Sequence, residues 1–312
     1  MSHLDPQLVP QPRPLTRRGG WVLGVIGVVI VVLYVLVVHF YNAEGGNVTT
    51  GGLQSTKASG VVATIDPVDV NAEKDRATLN ISIGAQGAEI LDSNGKLKNA
   101  TRILVSRSLG TQEVKYAAGE PLGRFESLVG VDGEQALYPF DTHVGDFQIS
   151  AETYRSDGAG GLETLGFTKV GLQQGGGVSG WDTVDMFPTQ MLEQSGGEIA
   201  FTRSFSTKVF AILMLFLVAL LSGTTLIVAA LVFTNRRKAE VGLMAWAGGV
   251  LFALPLLRNY LPYGPPVGAA IDIYIYLRAI VAAVSAVTLF VIGWVRQNRA
   301  VLEAAREKHN GA

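Results

Sequence analysis

The sequence predicts an integral membrane protein of mixed class: an N-terminal transmembrane helix, an extracytoplasmic antiparallel β-sandwich, and then three C-terminal transmembrane helices. Composition gives the first indication, because the 312-residue chain is 48% hydrophobic and only 16% charged, which is more apolar than a soluble domain requires. The apolar residues are concentrated in four long stretches. The region between the first two stretches instead alternates apolar and polar residues, a period typical of β-strands.

The first apolar stretch, WVLGVIGVVIVVLYVLVVHFY at 21–41, follows a proline-rich segment at 1–20 that we expect to be a disordered tail. About 20 apolar residues suffice for a helix to cross the hydrocarbon core. A cleaved signal peptide is the alternative, but the following HFYNAEGG does not resemble a small-residue cleavage site. We therefore expect a retained anchor.

Three more stretches of near-spanning length complete the predicted membrane unit. They lie at 207–233, 241–257 and 271–295. A short turn at 234–240 and a loop at 258–270 connect them, and a tail follows at 296–312. Glycines in these stretches could let helices approach closely; they are Gly223, Gly242, Gly248 and Gly249.

Basic residues predict the orientation of these spans. They cluster before the first span, in the 234–240 turn and after the fourth span. Lys and Arg beside short loops remain in the cytoplasm. We therefore expect a plasma-membrane protein with both termini in the cytoplasm, and with 42–206 and the 258–270 loop outside it.

The region at 42–206 is within the usual size of one domain. Apolar and polar residues alternate in four runs, ATLNISI, RILV, FESLV and DFQISAETY, and the turn-forming segments DSNG, VDG, RSDGAGG and QQGGGVSG bound them. This pattern predicts an antiparallel β-sandwich. The glycine-rich segment 42–52 reads as a flexible tether. At the other end, GEIAFTRSFSTK leads almost directly into the second span.

Composition and motifs argue against several chemistries. A net charge of -1 excludes broad electrostatic binding of nucleic acid, and the absence of cysteine excludes disulfides and thiolate sites. The glycines at 175, 177 and 180 have dinucleotide-loop spacing but lack the required strand and helix context. Four scattered histidines give no metal-ligand spacing; they are His3, His39, His143 and His309. We expect no metal, no cofactor and no enzymatic activity.

A membrane enzyme remains a third hypothesis, behind two that are set out below. Acid pairs such as Asp66 with Asp69, and Asp182 with Asp185, could perform acid–base chemistry. Such residues are more often solvated turn residues. An enzyme would require a buried carboxylate pair in the external domain.

Three ionisable residues close to the membrane form a candidate polar group: Arg258, Asp272 and Arg278. They flank the sequence RNYLPYGPPVGAAIDIY, whose prolines and glycine predict a rigid cap over the last two spans. Charges at this depth are costly and are usually paired or functional. The group could line a polar pocket or an ion route. The favoured interpretation is an interfacial ion pair that fixes the loop.

A second dense passage, LYPFDTHVGDFQI, contains the candidate residues for coupling the external domain to the membrane. These are Tyr138, Pro139, Phe140 and Asp141. Pro139 fixes the backbone, Asp141 can close a turn, and Phe140 is expected to pack with Phe147 beneath the next strand. The passage is either a purely structural corner or the loop that rests on the membrane-facing cap.

Four segments carry a family resemblance: YPFD, GWD, the RS before the second span, and PPVG-x-x-ID after the third. Together they resemble a family of bacterial (actinobacterial) and fungal membrane proteins known only as a domain of unknown function, DUF4436. The resemblance extends from the first span through Trp294. It implies the architecture alone, because the family brings no established activity or site residues.

YPFD beside an alternating strand, and LPYGPPVGAAIDIY, are also similar to segments of the bacterial pentameric ligand-gated channels. This chain departs from them by an added N-terminal span and by one span fewer after the sandwich. The helix in the pore position, VGLMAWAGGVLFALPLL, has no polar or charged rings.

Two function hypotheses follow. The first is a non-enzymatic cell-envelope protein that presents its β-sandwich for recognition or complex assembly, with the lipid bilayer, envelope proteins or a homo-oligomer as partners and no nucleic acid. The alternative is a channel or transporter subunit.

Overall fold

A computed structural model describes residues 59–87, 90–156 and 162–310, together with seven positions between Val28 and His39. For 300–310 it describes the backbone alone. The rest of 1–58 lies outside the described residues. This includes the predicted tail at 1–20, the tether at 42–52 and most of the first span.

Within the described ranges, ten β-strands form one large mixed sheet domain. Their bounds are β1 Gly60–Asn71, β2 Arg76–Gln86, β3 Ala100–Arg107, β4 Gly110–Tyr116, β5 Arg124–Gly133, β6 Thr142–Ser156, β7 Leu162–Thr168, β8 Val170–Gln174, β9 Trp181–Met186 and β10 Gln194–Arg203. The predicted turn at DSNG is confirmed, the one at VDG is wrong because 131–133 are the last residues of β5, and 157–161 of RSDGAGG lie outside the described residues. In DSNG, the Asp92 carboxylate accepts bonds from the backbone N–H groups of Asn94 and Lys96 at 2.8 and 2.9 Å.

The strands follow the order β4-β3-β6-β5-β2-β1-β8, and β6 also pairs with β7 and β10, while β9 pairs with β10. β5 joins the two halves, since 124–130 pair with β2 and 131–133 pair with β6. The prediction of a wholly antiparallel domain is wrong at one place, because β1 and β8 run parallel. Lys169 alone separates β7 from β8. The chain therefore passes from one half to the other without a reversal.

The two halves share one hydrophobic core. In ATLNISI the alternation predicted from the sequence is confirmed, because Leu79, Ile81 and Ile83 of β2 are buried while the residues between them are not. Ile103 and Ile149, from β3 and β6, lie in the same core. Burying a side chain of this size contributes roughly 1.5–3 kcal/mol, so these alternating residues fix which face of each strand points inwards.

Three helices follow the sheet domain: α1 Phe205–Phe233, α2 Val241–Asn259 and α3 Leu277–Asn310. A π-helical turn at Asp272–Tyr276 precedes α3. Among the residues that the structure describes, three segments are long and apolar enough to cross a membrane: Phe205–Phe233, Val241–Asn259 and Asp272–Arg299. α3 continues past the predicted end of the fourth span at 295, through most of the predicted tail.

α1 begins one residue after β10 ends. Ser204 lies between them as the N-cap, and its hydroxyl accepts a bond from the Thr207 backbone N–H at 3.3 Å. An N-cap of this type satisfies one of the free N–H groups of the first turn. The strand therefore feeds directly into the helix, as GEIAFTRSFSTK predicts.

Small residues pack the helices, but not the glycines that the sequence suggested. A Cβ at Gly223, Gly242, Gly248 or Gly249 would meet nothing within 4 Å, so no close helix approach depends on these glycines. Gly293 of α3 does lie against α1, where a Cβ would come 3.1 Å from Val232 Cγ1. Buried alanines, including Ala229 and Ala286, complete this contact.

Candidate functional site

Arg203 forms the centre of the junction between the sheet domain and the helices. It is the last residue of β10, directly before the N-cap of α1, and its side chain is 0% exposed. Its Nε donates to both carboxylate oxygens of Asp141 at 3.1 Å, and its Nη2 donates to Asp141 Oδ2 at 3.0 Å. A planar guanidinium matches a carboxylate in this way better than a lysine would.

Strand register brings Asp141 to Arg203. Thr142 of β6 pairs with Thr202 of β10, so the residues before and after them meet on the inner face. His143, two residues after Asp141, lies on the same face because side chains alternate along a strand. Its Nε2 lies 2.8 Å from Asp141 Oδ2, and the imidazole is 0% exposed. Burial raises the pKa of Asp141, but hydrogen bonds from His143 and Arg203 outweigh this and hold that pKa below its ordinary value.

Three aromatic rings surround the Arg203 guanidinium. Its Cζ lies 3.9 Å from the centroid of the Trp181 ring, 5.1 Å from that of Tyr138 and 5.9 Å from that of Tyr263. A guanidinium over an aromatic face is attracted by the ring quadrupole. The rings belong to β9, to the β5–β6 connection and to the α2–α3 loop, so one cation holds three separate segments together.

Tyr138 also bonds directly to the α2–α3 loop. Its hydroxyl donates to the Pro262 carbonyl at 3.0 Å, and its ring belongs to a buried apolar cluster formed mainly by the helices and the α2–α3 loop, which includes Leu215, Leu254 and Leu261. Burial raises the pKa of this phenol well above its ordinary value, which keeps the hydroxyl protonated as a donor. Tyr138 thus belongs to the sheet domain by its position in the chain, but its side chain is buried among residues of the helices and the α2–α3 loop.

Gly180 provides the closest approach of the loop before β9 to the helical unit. It has a φ of +79°, and a Cβ there would overlap the Tyr263 ring. Its carbonyl accepts bonds from the Ser204 N–H and from the Thr207 hydroxyl, both at 3.0 Å. The segment QQGGGVSG, which the sequence predicts to form a turn, therefore ends in a close backbone contact with α1 and Tyr263.

The four predicted coupling residues do not all lie in the junction. Tyr138 and Asp141 lie in the junction, and the Tyr138–Pro139 peptide bond is cis. The predicted packing of Phe140 with Phe147 is wrong, because Phe140 is 62% exposed while Phe147 packs edge-on against Phe187 in the core. Asp141 points inwards to Arg203, so the residue next to it points outwards.

The predicted polar group near the membrane is brought together in part. Arg258 Nη2 lies 2.9 Å from Asp272 Oδ2 and also donates to the carbonyls of Pro265 and Pro266 at 3.1 Å. The Gly268 N–H donates to the same carboxylate oxygen at 2.9 Å. Arg278 is exposed and forms no ion pair with any acid that the structure describes, because six helical residues place it on another face than Asp272.

These contacts suit a mechanical role. The Asp141 carboxylate is committed to Arg203 and His143, and the Asp272 carboxylate closes its own loop. Within the described ranges, no group of three or more His, Asp or Glu side chains is placed to hold a metal ion. The arrangement can connect elements rigidly.

Sequence reasoning missed four residues of the junction: His143, Trp181, Arg203 and Tyr263. The sequence contained a signal for two of them, His143 and Arg203. The two-residue spacing of Asp141 and His143 places both on one strand face. An arginine at the end of a strand, directly before an apolar span, cannot easily reach water and requires a carboxylate partner.

Comparison with protein families divides the chain at the same junction. Residues 52–188 match the model of a domain of unknown function, DUF4436, which confirms the predicted resemblance over the sheet domain but over a shorter range than predicted. Residues 203–297 match a second domain of unknown function, DUF8686. No curated protein matches the chain. The Asp141–Arg203 ion pair joins one matched region to the first residue of the other.

Proposed function

We propose that this chain is a non-enzymatic, multi-pass protein of the cell envelope, whose sheet domain recognises a partner outside the cytoplasm and passes the effect of binding to the helices. The basic residues beside the spans support a plasma-membrane location with both termini in the cytoplasm. A β-sandwich is the architecture we propose for the domain, since two strand groups share one core. The function rests on how firmly this domain is joined to the spans.

The observation that carries the proposal is the buried Arg203. Its ion pair with Asp141 and its contacts with Trp181 and Tyr263 connect the sheet, the start of α1 and the α2–α3 loop. A domain meant only to be displayed needs no such contacts, since a tether would suffice. Buried charged networks of this kind favour one arrangement of the segments they join.

The sheet offers an exposed apolar surface for the partner. Val144 and Val184 flank Ala200 across β6, β10 and β9, and are 37% and 51% exposed. In the next row Glu198 lies between Asp146 and Met186, beside a groove of about 420 Å³. Apolar patches bordered by charge are typical of protein interfaces. We infer a protein partner with an apolar segment and basic flanking residues.

The experiment is purification of the tagged full-length chain in mild detergent after cross-linking in its native cells, with mass spectrometry and sizing of the complex. We expect a stoichiometric envelope protein with the wild type. It should be lost from V144D/V184D and retained by Val68→Asp, which alters a similarly exposed valine of β1. A partner lost equally from both variants, or found with neither the variants nor the wild type, would contradict the proposal.

A channel subunit is the second candidate, favoured by one observation. Tyr138 and Tyr263 tie the sheet domain to the α2–α3 loop, which is where a signal would have to enter a pore helix. A symmetric homo-oligomer without partners, together with conductance in planar bilayers, would support it. Asp272→Asn would then reduce ion flux or its pH dependence, whereas in a scaffold it costs only stability.

A further inference from the structure

Five cations lie together at the end of the helical unit opposite the junction. We refer to Arg236, Arg237, Lys238, Arg296 and Arg299 as the basic rim. The first three occupy the α1–α2 turn, the other two lie on α3, and all are exposed. None of them forms an ion pair with an acid among the residues that the structure describes. Exposed Glu240, the N-cap of α2, is the acid of this turn, and it leaves the basic rim with an excess of positive charge.

Gln297 of α3 holds the turn in place. Its Oε1 accepts a bond from the Ala239 N–H at 2.8 Å, and its Nε2 donates to the carbonyls of Val232 and Arg237 at 3.2 and 3.1 Å. Gly293, one helical turn earlier, lets α3 lie directly against Val232. The backbone that carries the turn cations is consequently fixed against the part of α3 that carries the other two, as a binding site requires.

An apolar surface adjoins the basic rim. The Arg296 guanidinium lies 5.2 Å from the centroid of the Phe233 ring. Towards the middle of α3, Val291, Ile292 and Trp294 are all more than a third exposed. A ligand that matches both surfaces has an anionic head and apolar tails. Inorganic phosphate or an acidic peptide would leave the apolar side unmatched.

We propose that the basic rim binds the headgroup of an anionic phospholipid in the leaflet on that side of the membrane. The lipid phosphate pairs with the arginines, whose planar guanidinium groups match phosphate oxygens in two-bond geometry. The acyl chains lie along the exposed apolar side of α1 and α3. This site is separate from the junction and does not depend on the function proposed for the sheet domain.

The test uses the full-length chain in mild detergent, with dioleoyl phosphatidylglycerol, dioleoyl phosphatidylcholine or inorganic phosphate added. Bound lipid is counted by native mass spectrometry, and thermal unfolding is followed in parallel. We expect phosphatidylglycerol to bind at least about fivefold more tightly than phosphatidylcholine, as the attraction of even one well-placed cation would give, and to raise the unfolding midpoint. Inorganic phosphate should neither bind measurably nor raise the unfolding midpoint.

Two variants and a control probe the site. R236Q/R237Q should remove the preference for phosphatidylglycerol by lowering the charge. Gln297→Leu should weaken the preference for phosphatidylglycerol, because it removes the bonds that hold the turn but leaves every charge in place. Arg278→Gln, an exposed arginine near the other end of α3, should keep it. Equal binding of the two lipids by the wild type, or a preference retained by both rim variants, would overturn the proposal. If inorganic phosphate raised the unfolding midpoint as much as phosphatidylglycerol does, the basic rim would be a site for free anions and the lipid proposal would be wrong.

Discussion

At the scale of single residues, Asp141 is the carboxylate on which the junction depends. It is 1% exposed and contacts two nitrogen-bearing side chains, Arg203 and His143. The desolvation cost of a buried ion pair can offset most of its Coulombic gain, whereas removing one partner leaves the other charge buried and uncompensated. The effect of a substitution therefore measures the cost of leaving one charge buried without a partner, and not the net contribution of the pair to stability.

Asp141→Asn keeps the shape of the side chain but removes the charge that Arg203 requires. We expect a loss of about 3–5 kcal/mol in the free energy of unfolding, measured by thermal or denaturant unfolding in detergent. Asp132→Asn is the matched control, because Asp132 is an exposed acid of β5 and should change stability by less than about 0.5 kcal/mol. Similar small losses in both variants would contradict the assigned role.

Acid should weaken the wild type through the same residue. The pKa of Asp141 is lower in the folded state than its ordinary value of 3.8. The carboxylate therefore contributes stability above about pH 4, and this contribution is lost as the pH falls through the folded-state pKa. Unfolding curves recorded from pH 6 downwards should show the stability gap between wild type and Asp141→Asn narrowing as the pH falls below about 4. A constant gap across this range would show that another group dominates.

The residue-scale predictions from sequence succeeded where a pattern was local. Alternation predicted the buried face of β2, and the cost of charge near lipid favoured an ion pair between Asp272 and one arginine, which the structure forms with Arg258. The contact between Asp141 and Arg203 spans 62 positions and depends on the register of β6 with β10, which one sequence does not specify. Phe140 was misplaced for the same reason, since its orientation depends on where Asp141 points.

At the scale of elements, the α2–α3 loop is held from two sides. On one side, Arg258 and Asp272 close it with hydrogen bonds to Pro265, Pro266 and Gly268. On the other, Tyr138 and Gly180 contact Pro262 and Tyr263. The sequence predicted a rigid loop fixed by an ion pair, and it offered Tyr138 as a residue that could rest on this loop, which agrees with its bond to Pro262. It did not predict the contact of Gly180 with Tyr263, which joins distant segments.

Gly180→Ala should loosen the loop. Its positive φ costs an alanine about 1–2 kcal/mol, and the added Cβ would displace the Tyr263 ring. We expect faster hydrogen exchange of the backbone across 258–270. Gly95→Ala is the matched control, since Gly95 has a φ of +75° but open space around it, and it should leave that exchange unchanged. Equal exchange in both variants would show that Tyr263 does not depend on Gly180.

Arg258→Gln removes the ion pair that closes the loop from within. Both partners are about one-fifth exposed, so solvent screens part of their attraction, and we expect a loss of about 1–2 kcal/mol in unfolding free energy. Arg278→Gln serves as the control because Arg278 is exposed and is not part of the ion pair between Arg258 and Asp272. A loss from Arg278→Gln as large as that from Arg258→Gln would mean that the three residues act together, as the sequence first suggested.

At the scale of the whole molecule, the sheet domain and the helices share contacts that make them one mechanical unit. Tyr138 packs in the helical core, and Arg203 forms part of both the last strand and the entry to α1. The division between two family matches falls at this point. Two regions that sequence comparison treats separately are thus joined through buried side chains.

Coincident unfolding would be the signature of this connection. In the wild type we expect the fluorescence of Trp181 in β9, recorded after Trp21, Trp246 and Trp294 are replaced by Phe, and the helical circular dichroism signal to report the same transition midpoint. In Asp141→Asn the two midpoints should separate, since the contact that joins the units is lost. Separate midpoints in the wild type would show that the units unfold independently.

α3 gives the junction a mechanical consequence at a distance. Its 34 residues make a rod about 51 Å long, while hydrocarbon is only about 30 Å thick. The rod starts directly after Tyr276, beside the junction, and its last turns extend past the basic rim. As a lever pivoting near Tyr276, it would convert a tilt of about 5° into a displacement of about 4 Å at Asn310. If the partner proposed above binds the sheet, its effect would be measurable at the other end of α3 as a displacement of Asn310.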